Sequence, residues 1–306
     1  MKKRTARVLP GAIILSASVM AQPASASEKS PFSATIALAA QYDSNVTVDD
    51  ADINTRKGDL AALVQLSTNY NIIDSKNVQL RAGYDFDQTL YSDLGDFDLQ
   101  LHRFALGASL DSGKTSFGAD YAFSHVRLGG DGYLDMHMLS PSVTSFVADK
   151  LMIRASYIYL DKTFLDSDRL DSRMHIGSVD AYRYFAGRKA YVAVGLRYDD
   201  EDAHAPELDY RGFQASARLM FPVSLAGLSA KARLNYSYAE RDYRHVTPSI
   251  GAKRDERRHT AGLSLEVPLG GSFAFKPQLR YMDRNSNLLS ADYKEYVVSS
   301  TLSYKL

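Results

Sequence analysis

The chain has 306 residues, of which 45% are hydrophobic and 24% are charged, and it contains neither Cys nor Trp. A mean hydropathy of −0.26 excludes a bundle of membrane-spanning helices, because each such helix needs about 20 consecutive apolar residues. Without Cys, the chain cannot have a disulfide scaffold, thiolate metal ligands, a cysteine nucleophile or a lipid-modified N-terminal cysteine.

Residues 1–26 have the composition of a secretory signal peptide. Four basic residues are followed by an apolar stretch at 8–20 and by the small-x-small pattern Ala24-Ser25-Ala26. As a helix, about 13 residues reach about 20 Å, which is too short for the ~30 Å core of a bilayer. Removing the four basic residues leaves 32 basic against 36 acidic side chains, so the exported part is mildly acidic and nucleic acid is not an expected partner. The sequence predicts a signal peptide at 1–26 and one domain at 27–306.

From Phe32 onward, apolar and polar residues alternate with the period of two that is typical of β-strands. In residues 228–238 the apolar and aromatic side chains fall at every second position, and Ser, Lys, Arg and Asn occupy the positions between. Two segments fit the pattern poorly, 133–147, which contains Pro141, and 174–184. The alternation predicts about fourteen strands. They start near Ala34, Ala61, Val78, Gln100, Ser116, Tyr133, Leu151, Ser172, Tyr191, Tyr210, Leu228, Thr260, Phe273 and Tyr293.

The predicted connections alternate between tight turns and longer polar stretches. The longer ones are residues 46–58, 164–171, 200–207 and 244–255. Every second connection of an antiparallel sheet lies at the same end, so this pattern is typical of short periplasmic turns and long extracellular loops. Because a strand that crosses lipid must pair all its backbone groups, the sheet has to close. We therefore predict an all-β fold, a closed antiparallel transmembrane β-barrel with both termini on the periplasmic side.

Aromatic residues occur near both sets of connections, which predicts two interfacial girdles. Those near the tight turns are Phe117, Phe146, Phe185, Tyr191, Phe221, Phe273 and Phe275, and those near the longer stretches are Tyr42, Tyr91, Tyr159, Tyr198, Tyr238 and Tyr281. A general preference of aromatic residues for strands is the alternative explanation.

The polar face of the strands is predicted to line the lumen. Its basic residues are Arg81, Arg103, Arg154, Arg197, Arg218, Lys231, Arg233, Lys276 and Arg280, and its acidic residues are Asp85, Asp87, Asp120, Asp180 and Glu266. Charges of both signs can simply keep a water-filled lumen solvated, or the basic side chains can select anionic solutes or hold a passenger segment. Residues 46–58 and 244–255 could be plugs or lids, or plain surface loops.

No catalytic or metal-binding constellation is recognisable. Among the seven His residues, His125 and Asp120 differ by an odd number and point to opposite faces, whereas Asp135 and His137 share a face. The chain contains no G-x-S-x-G and no H-E-x-x-H. We therefore expect no enzymatic activity, no catalytic residues, no metal and no cofactor.

Several short motifs carry a resemblance. They are Tyr42-Asp43-Ser44-Asn45-Val46, Arg241-Asp242-Tyr243-Arg244, Arg254-Asp255-Glu256, residues 280–287 and Asp292-Tyr293-Lys294. The pattern resembles the C-terminal barrel domain of the surface lipoprotein assembly modifier family and extends over residues 32–306. The resemblance implies a fourteen-stranded barrel that helps to deliver lipoproteins or small secreted proteins to the cell surface.

This chain departs from that family in two ways. Typical members carry a periplasmic helical-repeat domain before the barrel, whereas here the signal peptide leads almost directly into the first strand. If that domain recruits the client, this protein would need a separate partner or has another role. The last residue is Leu306 rather than the terminal aromatic residue that is common in such barrels.

The sequence thus predicts a transport conduit in the outer membrane of a Gram-negative bacterium, and a translocator of lipoproteins or secreted proteins as its most specific form. The alternatives are a passive porin-like channel for small solutes and a structural or adhesive surface barrel. The expected partners are outer-membrane lipid, the barrel-assembly machinery during insertion, and a lipoprotein or secreted client.

Overall fold

The structure, a computed structural model, describes residues 30–48, 52–225 and 227–306. Fourteen strands form a closed antiparallel barrel, and β1 pairs with both β4 and β16. The barrel strands are β1 (Phe32–Asp43), β4 (Asp59–Asp74), β5 (Val78–Tyr91), β6 (Leu99–Ser112), β7 (Thr115–Leu128), β8 (Asp131–Ala148), β9 (Leu151–Phe164), β10 (Ser172–Phe185), β11 (Ala190–Ala203), β12 (Tyr210–Leu225), β13 (Leu228–Thr247), β14 (Ala252–Gly270), β15 (Phe273–Ser286) and β16 (Tyr293–Lys305). A small hairpin, β2 (Thr47–Val48) and β3 (Ile53–Asn54), lies between β1 and β4.

The predicted fold class is confirmed, and nearly every strand starts within two residues of its predicted start. The exception is β14, which begins at Ala252 and not near Thr260. Both segments with a poor pattern are regular strands: β8 keeps an unbroken register with β7 through Pro141, and β10 pairs along its length with β11. The predicted signal peptide lies outside the described residues. Within the described ranges, no helix is long and apolar enough to cross a bilayer.

The two ends of the barrel differ in their connections, as predicted. Turns of two to four residues close the end where β1 starts and β16 finishes, and most connections at the other end, the loop end, are longer. Two of the predicted longer stretches are partly strand. Of residues 244–255 only 248–251 form the connection, because β13 continues to Thr247 and β14 starts at Ala252, and residues 200–203 belong to β11. The β7–β8 connection consists only of residues 129–130.

Four loops at this end share one closing device. In each, a short 3₁₀ turn is followed by an Asp that comes directly before the next strand and accepts a hydrogen bond from the backbone N–H of the last residue of the preceding strand. The donor and acceptor pairs are Tyr91 and Asp98, Phe164 and Asp171, Ala203 and Asp209, and Ser286 and Asp292, at 2.6–3.3 Å. A carboxylate thereby satisfies a backbone donor that the sheet ladder leaves unpaired.

The outer face of the barrel is a belt of exposed apolar side chains. Leu38, Leu106, Val194 and Leu196 are each more than half exposed, which in water would be unfavourable for so large a surface. Ten of the thirteen residues in the predicted girdles lie on this face. The other three, Tyr91, Phe146 and Tyr191, point inward. Proximity to a strand end places a residue at the right height but does not determine its face.

Candidate functional site: the lumen and the hairpin that crosses it

The charged side chains on the polar face point into the barrel. Register places every predicted lumen residue on the face opposite the exposed apolar side chains, namely Arg81, Asp85, Arg103, Asp120, Arg154, Arg197, Arg218, Lys231, Arg233, Lys276 and Arg280. The strands position them because successive side chains alternate between the two faces.

Most of these residues form ion pairs, either within one strand or across neighbouring and next-neighbouring strands. Arg81 contacts Asp120 at 2.9 Å, Arg103 contacts Asp85 at 3.6 Å and Arg280 contacts Glu295 at 3.0 Å. The remaining pairs are Arg197 with Asp199, Arg218 with Asp180, and both Lys231 and Arg233 with Glu266. Arg154 donates to the Ser142 hydroxyl at 3.4 Å. No ion pair joins Lys276 to any residue of the described ranges.

Positive charge is concentrated on one wall. On the inner face of β13–β15 the basic residues are Lys231, Arg233, Arg241, Arg254, Arg258, Lys276, Arg280 and Arg284, whereas the acidic residues there are Glu256 and Glu266. The wall of β5–β7 carries Asp85, Asp87 and Asp120 with Arg81 and Arg103. The lumen is therefore electrostatically asymmetric, which favours anions along the β13–β15 wall.

The connection between β1 and β4 folds into the barrel as a hairpin, whose described residues 46–48 and 52–57 we name the transverse hairpin. Its base is closed by backbone hydrogen bonds from Val46 to Lys57 at 2.9 Å and from Thr55 to Val46 at 3.2 Å. Val46 and Val48 are buried.

The transverse hairpin contacts opposite walls. Val48 packs in a cluster of buried apolar side chains from β6–β9 that includes Val126 and Leu134. Four residues further on, the Asp52 carboxylate accepts hydrogen bonds from Arg254 on β14 and from Arg284 on β15. In the strand order, β14 and β15 lie half of the circumference away from β7 and β8. The hairpin therefore crosses the lumen at the loop end.

Asp52 belongs to a buried ionic cluster. Glu256 contacts both Arg254 and Arg284, and the Arg284–Glu256 distance is 2.8 Å. The side chains of these three residues are at most 3% exposed. Charges this well buried need complementary partners, and here two guanidinium groups meet two carboxylates.

A second buried group lies on β9–β11. Lys162 and Glu201 contact at 2.7 Å, and the Ser172 hydroxyl donates to the same carboxylate at 2.7 Å. None of the residues in these two groups is among the predicted lumen residues. Residues 254–258 are charged at every position, so alternation does not separate the inner from the outer residues of that segment.

The structure also places the His residues considered for catalysis. His125 contacts Asp135 at 2.7 Å, and both lie on the outer face with His137. His137 contacts the Tyr121 hydroxyl at 2.9 Å. Among the described residues, no hydroxyl side chain hydrogen-bonds to the His125–Asp135 pair, and no group of three or more His, Cys, Asp and Glu could hold a metal ion.

Comparisons with known proteins give the fold. No family model matches the chain, and no curated protein is significantly similar to it. Solved structures that are similar include OccAB3 of Acinetobacter baumannii (11% identity, TM-score 0.51, 90% of this chain and 99% of that one). OmpT of Vibrio cholerae is 10% identical with a TM-score of 0.54 over 90% and 97% of the two chains. An anion-selective porin from Comamonas acidovorans is 9% identical with a TM-score of 0.51 over 90% and 98%. At this identity the likeness shows that the chain has the fold of outer-membrane β-barrels.

Proposed function

We propose that the protein resides in the outer membrane of a Gram-negative bacterium and conducts small solutes, preferentially anions, through its lumen. Its apolar outer belt is the surface that acyl chains would cover, and the closed sheet leaves no unpaired edge in lipid. The three similar outer-membrane barrels, one of which is described as an anion-selective porin, agree with this proposal.

The preference for anions follows from the β13–β15 wall. Lys276 has no acidic partner among the described residues, and Arg233 and Lys231 share the single carboxylate of Glu266. Such a wall raises the local concentration of anions and lowers that of cations.

The observation that carries the proposal is the position of the transverse hairpin. Because it is fixed to opposite walls by Val48 and Asp52, it divides the lumen, and only solutes that fit beside it can pass. Wild-type protein in planar bilayers should therefore show a small conductance, and its reversal potential in a salt gradient should lie toward that of chloride.

Substitution of Asp52 by Ala tests the role of the hairpin. Without the carboxylate, Arg254 and Arg284 lose one of their two acidic partners, so the hairpin should detach and the single-channel conductance should rise severalfold. Asp255→Ala is the matched control, because Asp255 lies on the outer face and is 63% exposed. Equal conductance of the wild type and Asp52→Ala would refute the proposal that the hairpin narrows the lumen. A preference for cations would refute the proposed selectivity.

Delivery of lipoproteins or secreted proteins to the cell surface, which the family resemblance implies, is the more specific proposal. A polypeptide could pass only if the transverse hairpin left the lumen, so the Asp52 contacts would have to open in each cycle. Surface proteomics of a deletion strain, complemented with wild type or with Asp52→Ala, tests this role. Loss of particular surface lipoproteins or secreted proteins, restored by the wild type, would support it, and an unchanged surface proteome would remove it.

A further inference from the structure

A cavity lies at the loop end of the barrel, between Asp52 of the transverse hairpin and the walls of β9 and β11–β14. Asp52 and Arg254 line it on one side, Lys162 and Glu201 on another, and the rings of Tyr210, Tyr243 and Phe164 with Leu170, Leu208, Ala203 and Arg241 complete it. About 40 Å³ of the cavity is open to the centre of a water molecule, and one water needs about 10–15 Å³ on that measure. The space suits a group of a few heavy atoms.

The charges around the cavity do not cancel. Lys162 is paired with Glu201, and the two Arg residues of the ionic cluster face Asp52 and Glu256. The Arg241 side chain makes no direct ion pair or hydrogen bond within the described ranges, and the carboxylates of Glu201 and Glu256, each already in contact with another basic side chain, act on its charge only from a greater distance. The cavity therefore carries a net positive charge at one defined side chain.

The Arg241 guanidinium is held by stacking. Its Cζ atom lies 4.5 Å from the centre of the Tyr210 ring, and the Tyr210 and Tyr243 rings are 5.4 Å apart. Stacking over a ring face leaves the N–H donors in the guanidinium plane available for a second partner. The group is fixed in place but its hydrogen-bonding capacity is unused.

Tyr210 provides a second unused donor. The residue is only 3% exposed, and its hydroxyl has no hydrogen-bond partner in the part of the chain that the structure describes. A buried hydroxyl without a partner costs free energy, and such groups normally have one. Its presence beside an unpaired guanidinium is what a bound oxyanion would explain.

From this arrangement we propose that the cavity is a binding site for a small monocarboxylate with a short apolar body. The carboxylate accepts hydrogen bonds from the in-plane N–H groups of Arg241, whose fork geometry suits a carboxylate, and from the Tyr210 hydroxyl. The apolar body lies against Phe164, Leu170 and Leu208. The inference deepens the proposed anion channel and rests on it for the route by which the solute reaches the cavity.

Binding of butyrate to the purified full-length protein in detergent micelles, measured by saturation-transfer NMR, tests the site. Butylammonium, which has the same apolar body and the opposite charge, is the ligand control. Wild type should bind butyrate and not butylammonium. Arg241→Gln should weaken butyrate binding by about tenfold or more, and Tyr210→Phe, which removes only the hydroxyl, by about tenfold. Arg257→Gln, on the outer face of the neighbouring strand, should bind like the wild type.

Heat-modifiable gel mobility shows which variants are folded. If Arg241→Gln does not fold, Tyr210→Phe alone still tests the site. Three results would overturn the site: no butyrate binding by the wild type, equal binding by both variants and wild type, or equal binding of butylammonium. Binding in micelles does not require conduction. If the protein binds butyrate but shows no conductance in bilayers, the channel proposal is refuted and the binding site stands. If it conducts ions but does not bind butyrate, the binding site is refuted and the channel proposal stands.

Discussion

Among single residues, Glu256 is the one on which the buried ionic cluster in the lumen depends. This one carboxylate contacts both Arg254 and Arg284, and all three side chains are almost fully buried. Removing the charge leaves two guanidinium groups in the interior with only Asp52 between them. An uncompensated buried charge is among the most destabilising changes that a single substitution can make.

We therefore predict that Glu256→Gln lowers the free energy of unfolding by about 3–5 kcal/mol. The neighbouring Asp255→Asn is the control, because that carboxylate is 63% exposed and lies 3.8 Å from Arg257, where an ion pair contributes at most about 1 kcal/mol. Urea unfolding in micelles, followed by the β-sheet circular dichroism signal, measures both. Equal stability of the two variants would show that the cluster is not a structural centre.

The residues of this cluster could not be predicted from the sequence. Asp52 and Arg254 are separated by 202 positions, and no local pattern connects them. Alternation did place the predicted lumen residues on the inner face, since it needs only the parity of each position within its strand. Contacts across a lumen depend in addition on how an inward loop folds, and alternation contains no information on that.

At the scale of elements, the Asp that precedes a strand fixes the loop before it. Asp171 accepts a hydrogen bond from the Phe164 N–H at 2.6 Å and follows the 3₁₀ turn Asp168–Leu170. The same geometry at Asp98, Asp209 and Asp292 indicates one local solution used four times.

Asp171→Ala should release the loop of residues 165–171 and lower its local stability by about 1.5–3 kcal/mol, the contribution of one hydrogen bond to a charged group. Amide hydrogen exchange should be faster from Phe164 to Asp171 and unchanged in the other three loops. Asp168→Ala is the matched control, because the Asp168 carboxylate makes no hydrogen bond within the described ranges. Equal exchange in the two variants would contradict this role.

The strands themselves were predictable because lipid contact imposes alternation on the part of each strand that lies within the apolar belt. The start of β14 was misplaced for the same reason. Residues 252–258 extend beyond the apolar belt, where both faces are polar and the alternation of hydrophobicity is lost. At that height the sequence of the barrel wall cannot be distinguished from that of a loop. The strand is defined there by its pairing with β13 and, from Glu256 onward, also with β15.

At the scale of the whole molecule, the chain is a closed sheet with an apolar outer face and a charged inner face. β16 shows this most regularly, since exposed and buried or half-buried residues alternate from Tyr293 to Tyr304. In water such an exterior would drive association, whereas in a bilayer it is the surface that lipid covers. The proposed channel therefore requires that the apolar face contact lipid and that the charged face line the lumen.

The chain has no Cys, so single cysteines introduced along β16 can each carry one spin label. The accessibility of these labels to oxygen, which partitions into lipid, and to a water-soluble nickel chelate, measured in liposomes, shows which side of β16 faces lipid. We expect high oxygen accessibility at the outward positions Tyr296, Val298, Ser300 and Leu302, and low values at the inward positions Val297, Ser299, Thr301 and Ser303. Accessibility to both reagents without this alternation would contradict a membrane-spanning barrel.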